Sequence, residues 1–249
     1  LRLDHVMSLH RTFWIPDGFA PRDGVYVRYE ADEFYAVLAI ESHRAKTRII
    51  GEDLGTVPHY VRESLDRRGL HRLFVLQRQL LHAKEPPGTV APNMVASLNN
   101  HDMPPFAGFW RERDIDEREE LRLIDDARAA QLRAKREDIR RFLVEFLKNQ
   151  GLLDDDTSIA AIIEAANRWL ARSPAEIVLL SLEDLWGETE SQNIPTTTTE
   201  RPNWRRKFAK TLEEIFESDQ LRATIASVRD SRPDTLPSPR QDHARSSLE

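Results

Sequence analysis

The sequence predicts an α/β fold. Short continuous apolar runs each end in a polar cluster, stretches of helical pattern lie between them, and no apolar run approaches the roughly 18 residues of a membrane span. Leu1-Arg2-Leu3-Asp4-His5 reads as the end of a strand, and Phe34-Tyr35-Ala36-Val37-Leu38-Ala39-Ile40-Glu41 as a helix. Arg48-Ile49-Ile50-Gly51-Glu52-Asp53 is a second strand, and His59 to Asp66 a helix closed by Gly69. Leu73-Phe74-Val75-Leu76-Gln77 follows as a strand, then Met94-Val95-Ala96-Ser97-Leu98, which runs into Asn99-Asn100-His101-Asp102. Ile177-Val178-Leu179-Leu180-Ser181-Leu182 is the last, ending at Glu183-Asp184. Apolar runs of this kind suit a parallel sheet covered on both faces.

Residues 111–172 break the alternation. Leu121, Ile124, Leu132 and Ile139 mark a narrow apolar stripe in a densely charged stretch, widened by Phe142, Leu143, Phe146 and Leu147. Ile159, Ile162, Ile163, Ala166 and Leu170 mark a further helix. The segment is expected to be a helical insertion whose charges form a solvated face. Residues 1–229 are expected to form the ordered part. Residues 230–249, with Pro233, Pro237 and Pro239 and no apolar period, are expected to be a disordered tail. Because Leu1 already sits at a strand end, the chain is expected to be the later part of a longer protein.

The 36 Lys+Arg against 42 Asp+Glu give a net charge of −6, which argues against a broad phosphate-binding surface. A neutral polymer or small molecule fits better. Absence of cysteine rules out disulfides and thiolate metal cages, and is compatible with a reducing, cytoplasmic setting. No signal peptide is visible.

Asp4, Glu52 and Asp102 close or follow predicted strands, 48 and 50 residues apart. In a barrel of parallel strands such residues converge at one mouth. Three carboxylates meeting there repel one another unless they serve a cation or a cation-like transition state. Alternation puts Arg2 and Asp4 on one face of their strand, where the guanidinium favours an ionised Asp4. Glu52 shares a face with Ile50, while Asp53 points away and suits a structural ion pair. Taken singly, each acid is better read as a turn former or an N-cap for the next helix. His5 and His101, each beside an Asp, lack the spacing of a metal site. Trp14, Trp110, Trp186 and Trp204 could stack on sugar rings or be ordinary core residues.

Leu1-Arg2-Leu3-Asp4-His5, Gly51-Glu52-Asp53-Leu54-Gly55-Thr56-Val57-Pro58 and Asn100-His101-Asp102 stand in an order and spacing that resembles the 4-α-glucanotransferases (amylomaltases). The resemblance extends to Trp14-Ile15-Pro16, Gly108-Phe109-Trp110, Asn193-Ile194-Pro195 and Asn203-Trp204-Arg205-Arg206, covering residues 1–226. It implies a (β/α)8 TIM barrel of the α-amylase clan, here only the later strands from the fourth onward. It also implies a retaining enzyme that moves α-1,4-glucan segments between malto-oligosaccharides. By the same resemblance Asp4 is the nucleophile, Glu52 the general acid/base and Asp102 the transition-state stabiliser. Arg2 orients Asp4, and His101 contacts sugar hydroxyls. No cofactor, metal, nucleic acid or membrane is implied. The implied partners are malto-oligosaccharide or α-1,4-glucan and the missing N-terminal part of the same chain. The family pattern continues with Gly-Thr after Asn-x-Pro, whereas Thr196 follows Pro195 here, so a glycine turn is expected to be lost and no binding role passes to Asn193.

Two other readings stay open: an α-glucan hydrolase of the same clan with water as acceptor, and a non-catalytic half-barrel with exposed strand edges. A metal-dependent barrel hydrolase is a more distant one. The 249 residues alone are expected to be inactive.

Overall fold

The computed structural model describes residues 1–82 and 87–233. The chain divides into two compact units, the first built from Leu1–Phe74 with Pro92–Val95, the second from Val75–Ala91 and from Ala96 onward.

The first unit opens with β1 (Arg2–Leu3) and continues through β2 (Arg11–Trp14) and β3 (Val25–Arg28), which pair antiparallel. Helix α1 (Ala31–Ala45), strand β4 (Ile50–Gly51), helix α2 (His59–Arg67) and strand β5 (Arg72–Val75) follow. β1 pairs with β4 in parallel, and a further parallel bridge joins Ile50 to His71 just before β5. Val6, Tyr35, Ile49, Val61, Leu65 and Leu70 form the core beneath them, joined by Leu3, Met7 and Leu9. Gly51 sits tightly in this packing, because a Cβ there would press on Val6 at 3.1 Å and Leu65 at 3.2 Å and those side chains would have to shift by a few tenths of an ångström. The hairpin β2–β3 was not anticipated from the sequence. The expected strand at 48–53 is reduced to the two paired residues of β4, and the run at 73–77 turns into a helix at Leu76.

That helix is α3 (Leu76–His82), followed by β6 (Met94–Ser97), α4 (Phe106–Trp110), α5 (Arg113–Glu120), α6 (Asp126–Asn149) and α7 (Ile159–Arg172). The chain then forms β7 (Ile177–Leu179), α8 (Leu182–Leu185), α9 (Leu212–Glu217) and α10 (Asp219–Asp230). β5, β6 and β7 form a sheet in that order. Among the described residues there is no closed barrel: the chain has an α/β fold with parallel and antiparallel strand pairs.

Residues 111–172 contain α5, α6 and α7. Ser158 caps α7 by accepting the Ala161 N–H at 3.3 Å, and Ile162, Ile163, Ala166 and Leu170 bury one stripe of it at the helical spacing. α6 places Ile139, Leu143 and Leu147 inward. Its charges are not all solvated. Arg136 is 4% exposed, pairs with Asp114 at 2.9 and 3.0 Å, and lies 3.6 Å from the centre of the Phe109 ring. At the other end α10 runs to Asp230, and Arg232 donates to the Ala175 carbonyl at 2.7 Å, so the fold continues past residue 230. Residues 234–249 of the expected tail lie outside the described residues. Among the described residues no helix is long and apolar enough to cross a membrane.

Candidate functional site

In the first unit the site grows directly from strand register. Arg2 pairs with Ile50 and Leu3 with Gly51, so the next step along these parallel neighbours puts Asp4 and Glu52 side by side at the same strand end. The Glu52 N–H donates to the Leu3 carbonyl at 2.9 Å, and the Val6 N–H to the Glu52 carbonyl at 3.0 Å, which locks the two ends together. His5, between them, takes a left-handed backbone at φ 48°.

The Glu52 carboxyl is held at both oxygens: Oε2 accepts the His5 N–H at 2.9 Å and Oε1 the Leu54 N–H at 2.6 Å. Asp4 pairs with Arg2 at 2.7 Å, and its side chain is 74% exposed. An exposed pair of this kind adds little to stability. Asp53 is the opposite case. It is 3% exposed and accepts from Arg62 Nε at 3.2 Å, Arg72 Nε at 2.9 Å and the Leu73 N–H at 3.0 Å. Glu52 is thus half-buried and held only by backbone N–H groups, whereas Asp53 is buried among guanidinium groups.

In the second unit His101 and Asp102 lie in the loop between β6 and α4. Asp184 holds both ends of this loop, accepting from Asn99 Nδ2 at 2.8 Å and from the Phe106 N–H at 2.7 Å. Burial raises the Asp184 carboxyl to about 7, against the lowering pull of those two hydrogen bonds. Within the loop His101 Nε2 lies 3.3 Å from Asp102 Oδ2, and Asn193 Nδ2 donates to Asp102 Oδ1 at 3.1 Å. Sequence reasoning assigned nothing to Asn193 or Asp184, which reach this loop from 91 and 85 residues away.

The segment that delivers Asn193 is tightly braced. Arg206 pairs with Glu183 and with Glu188, Arg201 with Glu117, and Asn203 Nδ2 donates to Thr197 Oγ1 at 2.7 Å. Thr196 follows Pro195 with φ 78°, a left-handed turn with a β-branched residue in it. The expected loss of that turn is not what the backbone shows. Gly108 lets α4 approach the same segment, since a Cβ there would meet the Thr189 carbonyl oxygen at 2.1 Å. Among the described residues no three His, Cys, Asp or Glu side chains are grouped to hold a metal ion.

Each unit therefore assembles part of the expected set: Arg2, Asp4 and Glu52 in the first, His101 and Asp102 in the second. A family model described as 4-alpha-glucanotransferase matches residues 1–212. The chain is 36% identical over 242 residues to a 4-alpha-glucanotransferase of Mycobacterium tuberculosis, covering 92% of this chain and 33% of that protein. It is 35% identical over 241 residues to one from Haemophilus influenzae, covering 93% and 34%. The structure of amylomaltase from Corynebacterium glutamicum superimposes with TM-score 0.77 at 27% identity, over 92% of this chain and 35% of that one. A Streptococcus agalactiae amylomaltase in complex with acarbose shares the fold, with TM-score 0.63 at 15% identity, over 92% and 40%. The chain spans about a third of the length of these curated relatives.

Proposed function

The chain belongs to the 4-alpha-glucanotransferase family, and from that premise we propose that the protein carrying it transfers α-1,4-linked glucan segments between malto-oligosaccharides by retaining double displacement. β1, β4, β5, β6 and β7 are then the fourth and later strands of a (β/α)8 barrel, with the β2–β3 hairpin outside it and 111–172 as a helical insertion. Activity belongs to the protein with the rest of the relatives' length, and the 249 residues alone are inactive.

One observation carries the chemistry: the β1–β4 register puts Asp4 and Glu52 at the same end of adjacent parallel strands. A retaining mechanism uses two carboxyls about 5–5.5 Å apart across the scissile bond. Glu52 protonates the departing glycosidic oxygen while Asp4 attacks the anomeric carbon, giving a glycosyl ester on Asp4. Glu52, now ionised, takes the proton from an acceptor sugar hydroxyl, whose oxygen displaces Asp4 and closes the new α-1,4 bond. Arg2 aims Asp4, as their 2.7 Å contact supports. Asp102 stabilises the positive charge that develops on the sugar ring, oriented by Asn193, and His101 binds a ring hydroxyl. No step needs a metal or an organic cofactor.

Product analysis on maltotriose tests this reading. Glucose together with oligomers longer than maltotriose means transfer, whereas shorter products alone mean hydrolysis and overturn it.

A further inference from the structure

Of the four tryptophans weighed as sugar-stacking residues, Trp110 and Trp186 are partly buried, and Trp186 packs against Phe208. Trp14 is 56% exposed but belongs to the hairpin of the first unit, with its indole N–H on Thr12 and Tyr29. Trp204 is equally exposed at 56%, and stands beside the loop of Asp102. Its ring centre lies 5.9 Å from that of His101, tilted by 45°.

Trp204 also has φ 60°, a left-handed backbone that a bulky side chain rarely takes. Burial does not compensate for that conformation, because the ring remains in solvent. The surroundings impose it instead. The Trp204 N–H donates to the Gln192 carbonyl at 2.9 Å, and Asn203 just before it accepts the Ile194 N–H at 3.2 Å and Arg201 Nη1 at 3.1 Å. Gln192 precedes Asn193, whose amide holds Asp102. One braced segment thus presents an open indole face and orients the Asp102 carboxylate. Strain held in place next to polar groups is the pattern of a built site, not of a core residue.

We propose that Trp204 is a stacking platform for one glucosyl ring of an α-1,4-glucan. The proposal rests on the α-glucan reading above and deepens it. Glucose offers an apolar face of C–H groups and a rim of hydroxyls. The face lies on the indole, and the rim meets His101 and Asp102, the combination of one aromatic surface and a few fixed polar groups that defines a small-molecule site.

The test titrates maltoheptaose into the protein that carries this chain, with D4N present throughout so that the sugar is not turned over, following binding by calorimetry, with melting temperature measured on the same samples. W204G, W204F, W14A and H101A are compared with the D4N protein. W204G is expected to melt at the same or a higher temperature, since glycine relieves the backbone, yet to bind at least about ten-fold more weakly. W204F is expected to bind within about three-fold of the D4N protein, and W14A to bind unchanged. Unaltered binding by W204G, with weakened binding by H101A, overturns the platform and leaves the α-glucan reading standing. Weaker binding by W204G accompanied by a large fall in melting temperature also overturns it, because Trp204 is then a packing residue. No binding of maltoheptaose by the D4N protein counts against the α-glucan reading itself and removes the platform with it.

Discussion

The backbone N–H of His5 donates to Oε2 of Glu52 at 2.9 Å, across 47 residues of sequence. This contact fastens the residue that follows Asp4 to the carboxyl proposed as acid/base. Asp4 and Glu52 thus share a rigid strand end while Asp53, one residue on, faces inward. The two neighbours Glu52 and Asp53 should therefore respond to substitution in opposite ways.

Replacing Asp53 removes the buried partner of Arg62 and Arg72 and the acceptor of the Leu73 N–H. D53A is expected to cost about 3–5 kcal/mol, because it leaves cationic groups without their carboxylate in a largely buried place. E52Q loses one acceptor at an accessible loop, where water can replace it, and is expected to cost less than about 1 kcal/mol. Urea denaturation of both variants checks this; equal costs would contradict the division.

Thr196 offers a stabilising substitution. A left-handed backbone costs a non-glycine residue about 1–2 kcal/mol, while glycine loses about 0.5–1 kcal/mol more entropy on folding than alanine. Thr196 is exposed, so T196G sacrifices no packing and should gain a fraction of a kcal/mol net. For a chain of this size that is a rise of about 1–3 °C in melting temperature. A lower melting temperature would mean that the Thr196 side chain does something the backbone argument omits.

Asp184 should make stability depend on pH. Burial lifts its folded-state value to about 7, whereas an unfolded aspartate titrates near about 3.9. Between those values the folded chain keeps a proton that the unfolded chain releases. Its contribution is therefore complete below about pH 4, falls as pH rises, and is gone above about pH 7. D184N keeps an amide oxygen for the Phe106 N–H, and Asn99 can rotate to accept from the new amide. Denaturant titrations at pH 5 and pH 8 are expected to show a loss in the unsubstituted chain that D184N largely lacks. The same loss in both would exclude Asp184 as its source.

The sequence made some of this legible and hid the rest for physical reasons. Asp4 and Glu52 were readable because side-chain direction alternates along a strand, so Arg2, Asp4 and Glu52 separate from Leu3 and Asp53 by parity alone. The stripe of α7 was readable because Ile162, Ile163, Ala166 and Leu170 repeat at the helical period. The hairpin could have been found from Val25-Tyr26-Val27, a β-branched and aromatic run set off by Gly18 and Gly24. Asp184 and Asn193 had no such signal. Each is one polar residue whose partner is fixed only by chain folding over more than 80 positions. Thr196 shows the limit of motif logic: the backbone there is left-handed at φ 78° although the residue is not glycine.

Arg2 offers a separate test of orientation. Its pair with Asp4 is solvent-accessible, so R2A is expected to change stability by less than about 1 kcal/mol. In the protein carrying this chain, the same substitution should lower kcat for maltotriose disproportionation by at least about a hundred-fold. The effect on KM should be small. A change confined to KM would assign Arg2 to sugar binding instead of to the nucleophile.

The most direct measurement is the rate of maltotriose disproportionation by the protein that carries this chain, with D4N, E52Q and D102N made one at a time and each shown to fold. All three carboxyls are proposed to act on one glycosidic bond, so each substitution should reduce turnover by at least about a thousand-fold with melting temperature little changed. A folded D4N or E52Q variant that transfers glucose units within about ten-fold of the unsubstituted rate would contradict the account.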